Sequence, residues 1–363
     1  MNAPLCMPIM SKPGPREENW IVESRDPILI TGANGFIGSR VVEILLRYGF
    51  TNLRCLVRPS GNLERLRAVL RSHPGAQVEM VPGNLLSRED CARVAKGAVL
   101  IYHLAAGIEK TFPGSFMNSV VTTRNLLDAS IHTGGLRRFV NVSSFAVYSN
   151  WNLASGELLD ETCELESRPV ERAEAYAYAK LKQDQLVQEY SQKYGVPYVI
   201  VRPGAVYGPG TRSLTARVGI DTFGVFFHLG GSNQIPLTYV DNCAEAMVLA
   251  GIKPGVEGET FNIVDDELPS SRKFLRMYKR NAKRFRSLYF PYWLFYGLCW
   301  MWEKYSDWSK GQLPPIFNRR RCATYWKGNR YSNRKLKDRL GWKPTVPFPE
   351  AARRYFEYVR EAV

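Results

Sequence analysis

The sequence predicts a doubly wound parallel α/β sheet followed by a smaller C-terminal lobe, and three observations carry that expectation. Short apolar runs alternate with helix-like patterns from residue 27 to about 205. Three glycines, Gly32, Gly35 and Gly38, separate the first run from the first helical pattern. After Gly204 the alternation weakens into shorter elements punctuated by Gly208-Pro209-Gly210, Gly230-Gly231 and Pro254-Gly255.

In order, Ile28–Thr31 precedes a helix at Arg40–Arg47, Leu53–Val57 precedes Leu63–Leu70, Val78–Val81 precedes Glu89–Ala95, and Val99–Leu104 precedes Phe116–Ser130. Phe139–Val142 then leads to a long helix near Tyr176–Tyr194, and Tyr198–Val201 completes the series. This βα alternation is the order of a parallel sheet with crossover helices. Strands covered by helices on both faces are apolar throughout, and such sheets bind ligands at their strands' C-terminal ends.

Residues 1–26 carry prolines and charges but no sustained apolar stretch, so they read as a flexible extension rather than a secretory leader. Residues 27–205 form the expected nucleotide-binding domain, and 206–363 mainly a substrate-binding lobe with a basic and aromatic insertion at 270–321. Seven cysteines include no C-x-x-C pair and four histidines do not cluster, which points to a reducing, cytoplasmic setting without disulfides or a structural metal. A formal charge of +15 suits an anionic ligand or membrane surface, while nucleic acid is set aside because no binding module is recognisable.

The spacing Gly-x-x-Gly-x-x-Gly removes side chains where the chain turns, where the backbone must approach a pyrophosphate, and where helix and strand pack closely. The helix N-terminus beyond it offers free N–H groups and a positive dipole end, so this is where a dinucleotide's phosphates would lie. Downstream, Tyr176 and Lys180 stand one helical turn apart, as do Tyr178 and Lys182, and helical geometry does not choose between the pairs. A phenol of ordinary pKa ~10 becomes a usable acid or base beside an ammonium, because the positive charge favours phenolate. Ser143 and Ser144 end the Phe139–Val142 strand, where they either orient a reacting oxygen or satisfy local backbone groups.

At this point the chain resembles the extended short-chain dehydrogenase/reductase family, the epimerase/dehydratase group. The match covers roughly Ile28 to Asp265 and, more loosely, Tyr331 to Val359. Its parts fall in the family's order: the Thr31–Gly38 loop, His103-Leu104-Ala105-Ala106, Asn118, Ser143-Ser144, Tyr176 with Lys180, Arg202-Pro203-Gly204 with Tyr207-Gly208-Pro209, then Tyr239-Val240-Asp241-Asn242. Asp184, four residues after Lys180, fits the family's register and selects Tyr176 over Tyr178.

The resemblance implies a Rossmann domain and catalysis by Ser144, Tyr176 and Lys180. It implies cofactor contacts from Gly32, Asn34, Gly35, Phe36, Ile37, Arg58, Asn84, Leu85, Leu104, Ala105, Ala106, Val142, Tyr176, Lys180 and Pro203. Substrate contacts fall to Gly107, Ser144, Phe145, Tyr176 and Gly204, and no metal is implied. Two positions depart from the family pattern. Asn84 replaces an aspartate that faces the adenine, and the second strand ends in Arg58 rather than in an acid that would hold a ribose 2′-hydroxyl. Arg58 suits a 2′-phosphate, which favours NADP(H) over NAD(H).

The expected chemistry is therefore hydride transfer at a secondary alcohol or ketone, as an oxidoreductase or an epimerase. Phe145 and Ala146 occupy the positions where sugar-nucleotide dehydratases of this family carry an Asp-Glu pair, which argues against dehydration. A sugar-nucleotide epimerase with tightly bound NAD is the alternative, in which Arg319, Arg320 and Arg321 would grip a diphosphate; equally, those three would face water or lipid. A non-catalytic nucleotide-binding scaffold is the alternative from another class. The run Leu288–Trp302, broken by Pro291 and Gly297, is shorter than the ~20 residues of a bilayer span. Following so many cations, it reads either as a peripheral membrane contact that suits a steroid-like or lipid-linked substrate, or as a surface packed on the core or on a second subunit of a homodimer.

Overall fold

Ile28–Thr31 (β1) is buried at all four positions, because its two faces meet different helices. Ile28 and Ile30 pack with Val41, Leu45 and Met247, whereas Leu29 packs with Val94, Leu126 and Leu186. This two-sided covering is why the strand is apolar without alternation. The computed structural model describes residues 19–361 apart from 108, 110, 223, 311 and 313–316.

Along the chain, β1 is followed by α1 (Gly38–Arg47), β2 (Leu53–Val57), α2 (Glu64–Arg71), β3 (Val78–Pro82), α3 (Arg88–Ala95) and β4 (Leu100–His103). The helix expected at Phe116–Ser130 is in three pieces: α4 (Phe112–Phe116), a π-helical turn (Met117–Val121) and α5 (Thr122–Thr133). Hydrophobic spacing does not reveal such a wide turn, which here faces Asn118 and Ser119 toward the 104–107 loop: the Ser119 hydroxyl accepts from Gly107 N–H at 3.3 Å. Next come β5 (Arg138–Val142), β6 (Leu158–Leu159), α6 (Ala175–Tyr194), β7 (Tyr198–Pro203), β8 (Ala205–Tyr207), β9 (Gly219–Thr222), β10 (Val225–His228) and β11 (Leu237–Tyr239). The chain ends through α7 (Val240–Ile252), β12 (Thr260–Ile263), α8 (Ser271–Asn281), β13 (Ser287–Tyr289), α9 (Tyr292–Trp308), α10 (Arg319–Trp326), β14 (Arg330–Tyr331), α11 (Arg334–Leu340) and α12 (Phe348–Glu361).

The main sheet is seven-stranded and parallel, in the order β12-β7-β5-β4-β1-β2-β3. Its direction of progress reverses between β1 and β4, the switch point at which such sheets open a crevice. The seventh strand, β12, comes from beyond residue 205, so the sheet is completed by a late segment. The smaller lobe holds the three-stranded β13-β10-β9 and an aromatic core of Tyr207, Phe274, Tyr278, Tyr355 and Phe356. Of the extension expected at 1–26, residues 1–18 lie outside the described residues. The rest packs: Trp20 stacks on Phe50 at 5.4 Å, Val22 is buried, and Ile21 N–H donates to Ile252 O at 2.9 Å.

Two glycines on helices give opposite expectations. A Cβ on Gly38 would lie 2.1 Å from the Gly32 carbonyl oxygen, so Gly38→Ala is expected to cost of order 3 kcal/mol or prevent folding. Gly297, inside α9, has open space around its Cα, so Gly297→Ala is expected to add about 0.5–1 kcal/mol. Urea unfolding of both variants checks this pair, and equal effects would refute it.

Candidate active site

The glycine loop is built by exclusion of side chains. Gly32 adopts φ +70° and would clash through a Cβ with Ala105 N at 2.9 Å, while Gly35 N–H turns back to Gly32 O at 2.9 Å. Bare backbone therefore lies at the start of α1, a cradle that fits a dinucleotide pyrophosphate. Beside it, over the ends of β1 to β4, a cleft is lined by Gly32, Asn34, Arg58, Asn84, Leu85, Leu104, Ala105, Ala106 and Gly107, with Asn118 and Thr122 on its far wall. Arg58 is exposed at its rim. Asn84 spends its Oδ1 on the Leu86 N–H at 3.0 Å, in a local turn.

Phe36 and Ile37 do not line this cleft. The Phe36 ring faces Gly210 and the Arg65 guanidinium, which stands 5.9 Å from its centroid, and Ile37 packs between the two large cores. Pro203 ends β7 beside Ile263, and Gly204 has no room for a Cβ, because Pro236 O would be 2.2 Å away and the Phe145 ring 3.0 Å. Phe145 itself is buried against Tyr148 and Tyr331.

Ser144 and Tyr176 are brought together: burial pushes the Tyr176 phenol up to about 12, and the neighbouring Ser144 hydroxyl opposes that rise. Tyr178 points elsewhere, edge-on to Phe112 at 5.4 Å, and Lys182 bonds Gln185 at 3.0 Å. Lys180 is buried, and its Nζ donates to Val142 O at 2.6 Å and to Gln183 Oε1 at 2.8 Å. Burial holds this ammonium down to about 8, partly offset by Asp184.

Asp184 is the shared acceptor beneath the site. Its carboxylate accepts from Asn141 Nδ2 and the Ser143 hydroxyl, each at 2.8 Å, and from Arg202 Nη2 at 3.1 Å. Burial raises its pKa and Arg202 opposes the rise. Arg202 in turn donates to the Tyr148 hydroxyl at 3.0 Å and lies 4.9 Å over that ring.

Sequence reasoning missed a second polar chain. The Thr123 hydroxyl donates to Ser119 O at 2.6 Å, so its oxygen accepts from Gln183 Nε2 at 2.7 Å and from His103 Nε2 at 2.8 Å. A hydroxyl has one proton, so the neutral ring carries its hydrogen on Nε2 and accepts at Nδ1 from Thr31, 2.8 Å away. Ala105 N–H completes the chain by donating to Thr31 Oγ1 at 3.2 Å. The glycine-loop strand is thus wired to Lys180 through four side chains: Thr31, His103, Thr123 and Gln183. Nothing in local spacing signals it, since its partners are as far apart as 72 residues.

Two arginines of the triplet are committed within the protein. Arg319 bonds Glu303 at 2.6 Å, and Arg320 pairs with Glu166 at 2.8 Å and lies over the Trp151 ring.

The chain is similar to known proteins in sequence and in fold. Residues 28–264 match the model of the NAD dependent epimerase/dehydratase family. A 3beta-hydroxysteroid-dehydrogenase/decarboxylase (isoform 2) of Arabidopsis thaliana is 24% identical over 95% of the chain, which spans 63% of that relative's length. An uncharacterized UDP-glucose epimerase, YtcB, of Bacillus subtilis (strain 168) is 27% identical over 72% of the chain and 84% of its own length. The crystal structure of a UDP-glucuronic acid 4-epimerase from Bacillus cereus in complex with NAD shares the fold, with TM-score 0.68 and 22% identity over 93% of this chain and 99% of that one.

His103 makes acid stability a readout of the buried chain. Burial, with Lys180 adding to it, holds the folded imidazole down to about 3, against an ordinary value of 6.5. Between these values the unfolded chain binds the proton and the folded one does not. Stability present above pH ~6.5 is therefore lost as pH falls toward 3, by up to about 1.4 kcal/mol per pH unit from this group. In His103→Gln that part of the slope should vanish in urea unfolding between roughly pH 6 and 4; an unaltered slope would contradict a neutral buried imidazole.

Proposed function

The chain belongs to the NAD dependent epimerase/dehydratase family, and from that premise we propose that it transfers hydride at a secondary alcohol or ketone with Tyr176 as acid and base. The observation that carries the reading is the grouping of Ser144, Tyr176 and the buried, doubly bonded Lys180 at the ligand-binding end of a sheet with a glycine cradle. When bound, the nicotinamide accepts or supplies the hydride. The protein's part is positioning and proton transfer.

Half-buried Tyr176 is a neutral phenol at rest, so it is poised to give its proton to a carbonyl oxygen; in the oxidative direction it would take the alcohol's proton only as the phenolate, after losing its own. Ser144 is beside Tyr176 and would steady the same oxygen. Lys180 is locked by Val142 O and Gln183, leaving its remaining N–H for a ribose hydroxyl, and its charge favours the phenolate that forms during the reaction. The Gly32, Gly35 and Gly38 backbone would hold the pyrophosphate, with Leu85 and Ala105 among the residues along the nucleotide and Gly107 toward the substrate. Arg58 at the rim supports NADP(H) over NAD(H).

A steroid-like or lipid-linked alcohol is the favoured substrate class. Support comes from the hydroxysteroid dehydrogenase relative, whose likeness runs through 95% of the chain, and from Arg319 and Arg320, whose ion pairs take the place of a diphosphate grip. The epimerase relative supports a second reading, a sugar-nucleotide epimerase with retained NAD. A homodimer, cytoplasmic and peripheral to a membrane, completes the proposal.

Tyr176→Phe is expected to reduce turnover roughly 10²- to 10⁴-fold while nicotinamide affinity, followed by fluorescence titration, hardly changes. Tyr178→Phe should stay near wild type; if the loss moves to that variant, the assignment of Tyr176 fails. Substrates to screen are hydroxysteroids and UDP-, GDP- and dTDP-sugars. Cofactor that copurifies and is regenerated marks the epimerase, and stoichiometric absorbance change with added cofactor marks the oxidoreductase.

Arg58→Asp tests cofactor choice separately. The ratio of NADP(H) to NAD(H) affinity should fall about tenfold or more, because one charge-assisted contact to a 2′-phosphate is lost and a repulsive one gained. An unmoved ratio would show that Arg58 is a solvated loop residue.

A further inference from the structure

Helix α9 carries its apolar face outward. Trp293 is 72% and Trp308 78% exposed, and Leu294, Leu298, Met301 and Tyr305 are exposed with them. At 100° per residue these six side chains fall on one broad arc centred near Met301 and Trp308. The opposite face is tied down by buried Cys299 and Ser306, by Phe295 edge-on to Trp326 at 5.3 Å, and by Glu303 bonded to Arg319. Leu288 and Tyr289 of the adjoining strand β13 extend the exposed surface. A contiguous patch of this kind marks an interaction site.

We propose that this face lies on an anionic lipid surface, with α9 in the plane of the interface. The charge around it chooses the partner. No acidic residue occurs between Glu267 and Glu303, and Arg272, Lys273, Arg276, Arg280, Lys283 and Arg284 are all exposed. This basic segment sits against the entry to α9: the Arg272 guanidinium is 5.4 Å from the Tyr289 ring centroid, and Lys279 Nζ bonds Ser287 Oγ at 2.9 Å. A second copy of the chain would bring the same cations, on a protein whose formal charge is +15, and so meets repulsion where an anionic surface meets attraction. Tryptophan and tyrosine are also the side chains that a bilayer's polar–apolar boundary favours. Among the described residues no helix is long and apolar enough to cross a membrane, which leaves α9 to lie along it.

The docking face is mechanically close to the proposed chemistry. Glu303 of α9 holds Arg319 of α10, Asn318 Nδ2 donates to Arg172 O at 3.0 Å, and Tyr325 of α10 bonds Glu174, two residues before Tyr176. Resting on the function proposed above, this arrangement makes the substrate an alcohol or ketone that dissolves in lipid and enters from the surface on which α9 sits.

The test uses full-length protein and vesicles of phosphatidylcholine with and without phosphatidylglycerol. Flotation should occur with the anionic vesicles, and brominated lipids should quench tryptophan fluorescence there. Binding should weaken about fivefold for each cation whose anionic partner is withheld. The exposed triple variant Trp293→Ser/Met301→Ser/Trp308→Ser should lose affinity about tenfold or more, as should Lys283→Glu/Arg284→Glu, both keeping the wild-type melting temperature and nicotinamide affinity. Failure of the wild type to bind anionic vesicles, or undiminished binding by the triple variant, overturns the proposal. So does self-association that the triple variant abolishes while vesicles leave the fluorescence unchanged, since a second copy would then own the face. Loss of nicotinamide binding by the wild type would instead refute the enzymatic reading and leave the lipid result standing.

Discussion

The site depends on one buried carboxylate. Asp184, on α6, is 1% exposed, and it gathers Asn141 and Ser143 from the end of β5 and Arg202 from β7. An ionised acid at that depth survives only because every neighbour donates to it, and the cost of leaving any donor or charge unmatched is several kcal/mol, on the order of 3–5 for a broken buried pair. That mutual dependence fixes α6 in rotation and height against the sheet. Tyr176 and Lys180 stand two turns and one turn before Asp184 on the same face, so what fixes the carboxylate also fixes the phenol and the ammonium.

The second constraint comes from the other side of the sheet's switch point. Gly38 lets α1 approach the Gly32 carbonyl, and Thr31, immediately before, turns its hydroxyl into His103. His103 stays neutral because burial holds its imidazole down, and the nearby Lys180 charge opposes a second proton as well. The chain through Thr123 and Gln183 therefore lets the Lys180 ammonium be the one fixed cation of this chain. The glycine loop and Lys180 are set by one polar framework, although they lie on different elements.

Much of this was legible in the sequence where function is local. The glycine spacing, the serines that end β5 and the Tyr176–Lys180–Asp184 register are short-range patterns, each tied to a bond a helix or turn makes by itself. The rest depends on distance along the chain. His103 and Thr123 read as ordinary residues of a strand and a helix, and only the fold makes them partners. Phe36 and Ile37 sit in the expected loop, yet their side chains turn toward Arg65 and the cores, because loop position says nothing about direction. In the 288–302 run, Pro291 and Gly297 read as interruptions, whereas Pro291 caps α9 and Gly297 lies inside it. A run apolar all round carries no phase, so which face is outward became visible only once Phe295 and Cys299 were seen packed on α10.

The position of α10 explains why an outward apolar helix can be kept without unravelling the lobe. Its Asn318 caps the helix by accepting from Arg321 N–H at 2.9 Å, Trp326 Nε1 donates to Ala216 O at 2.9 Å, and Cys322 and Trp326 supply the apolar floor under α9. Arg319 and Arg320 then spend their charges on Glu303 and Glu166, one facing α9 and the other the segment that leads to Tyr176. A helix held on one side by aromatic packing and an ion pair can leave the other side to whatever surface meets it. The same two ion pairs engage the Arg319 and Arg320 cations within the protein, so the packing of α9 and the commitment of these charges are consequences of a single arrangement.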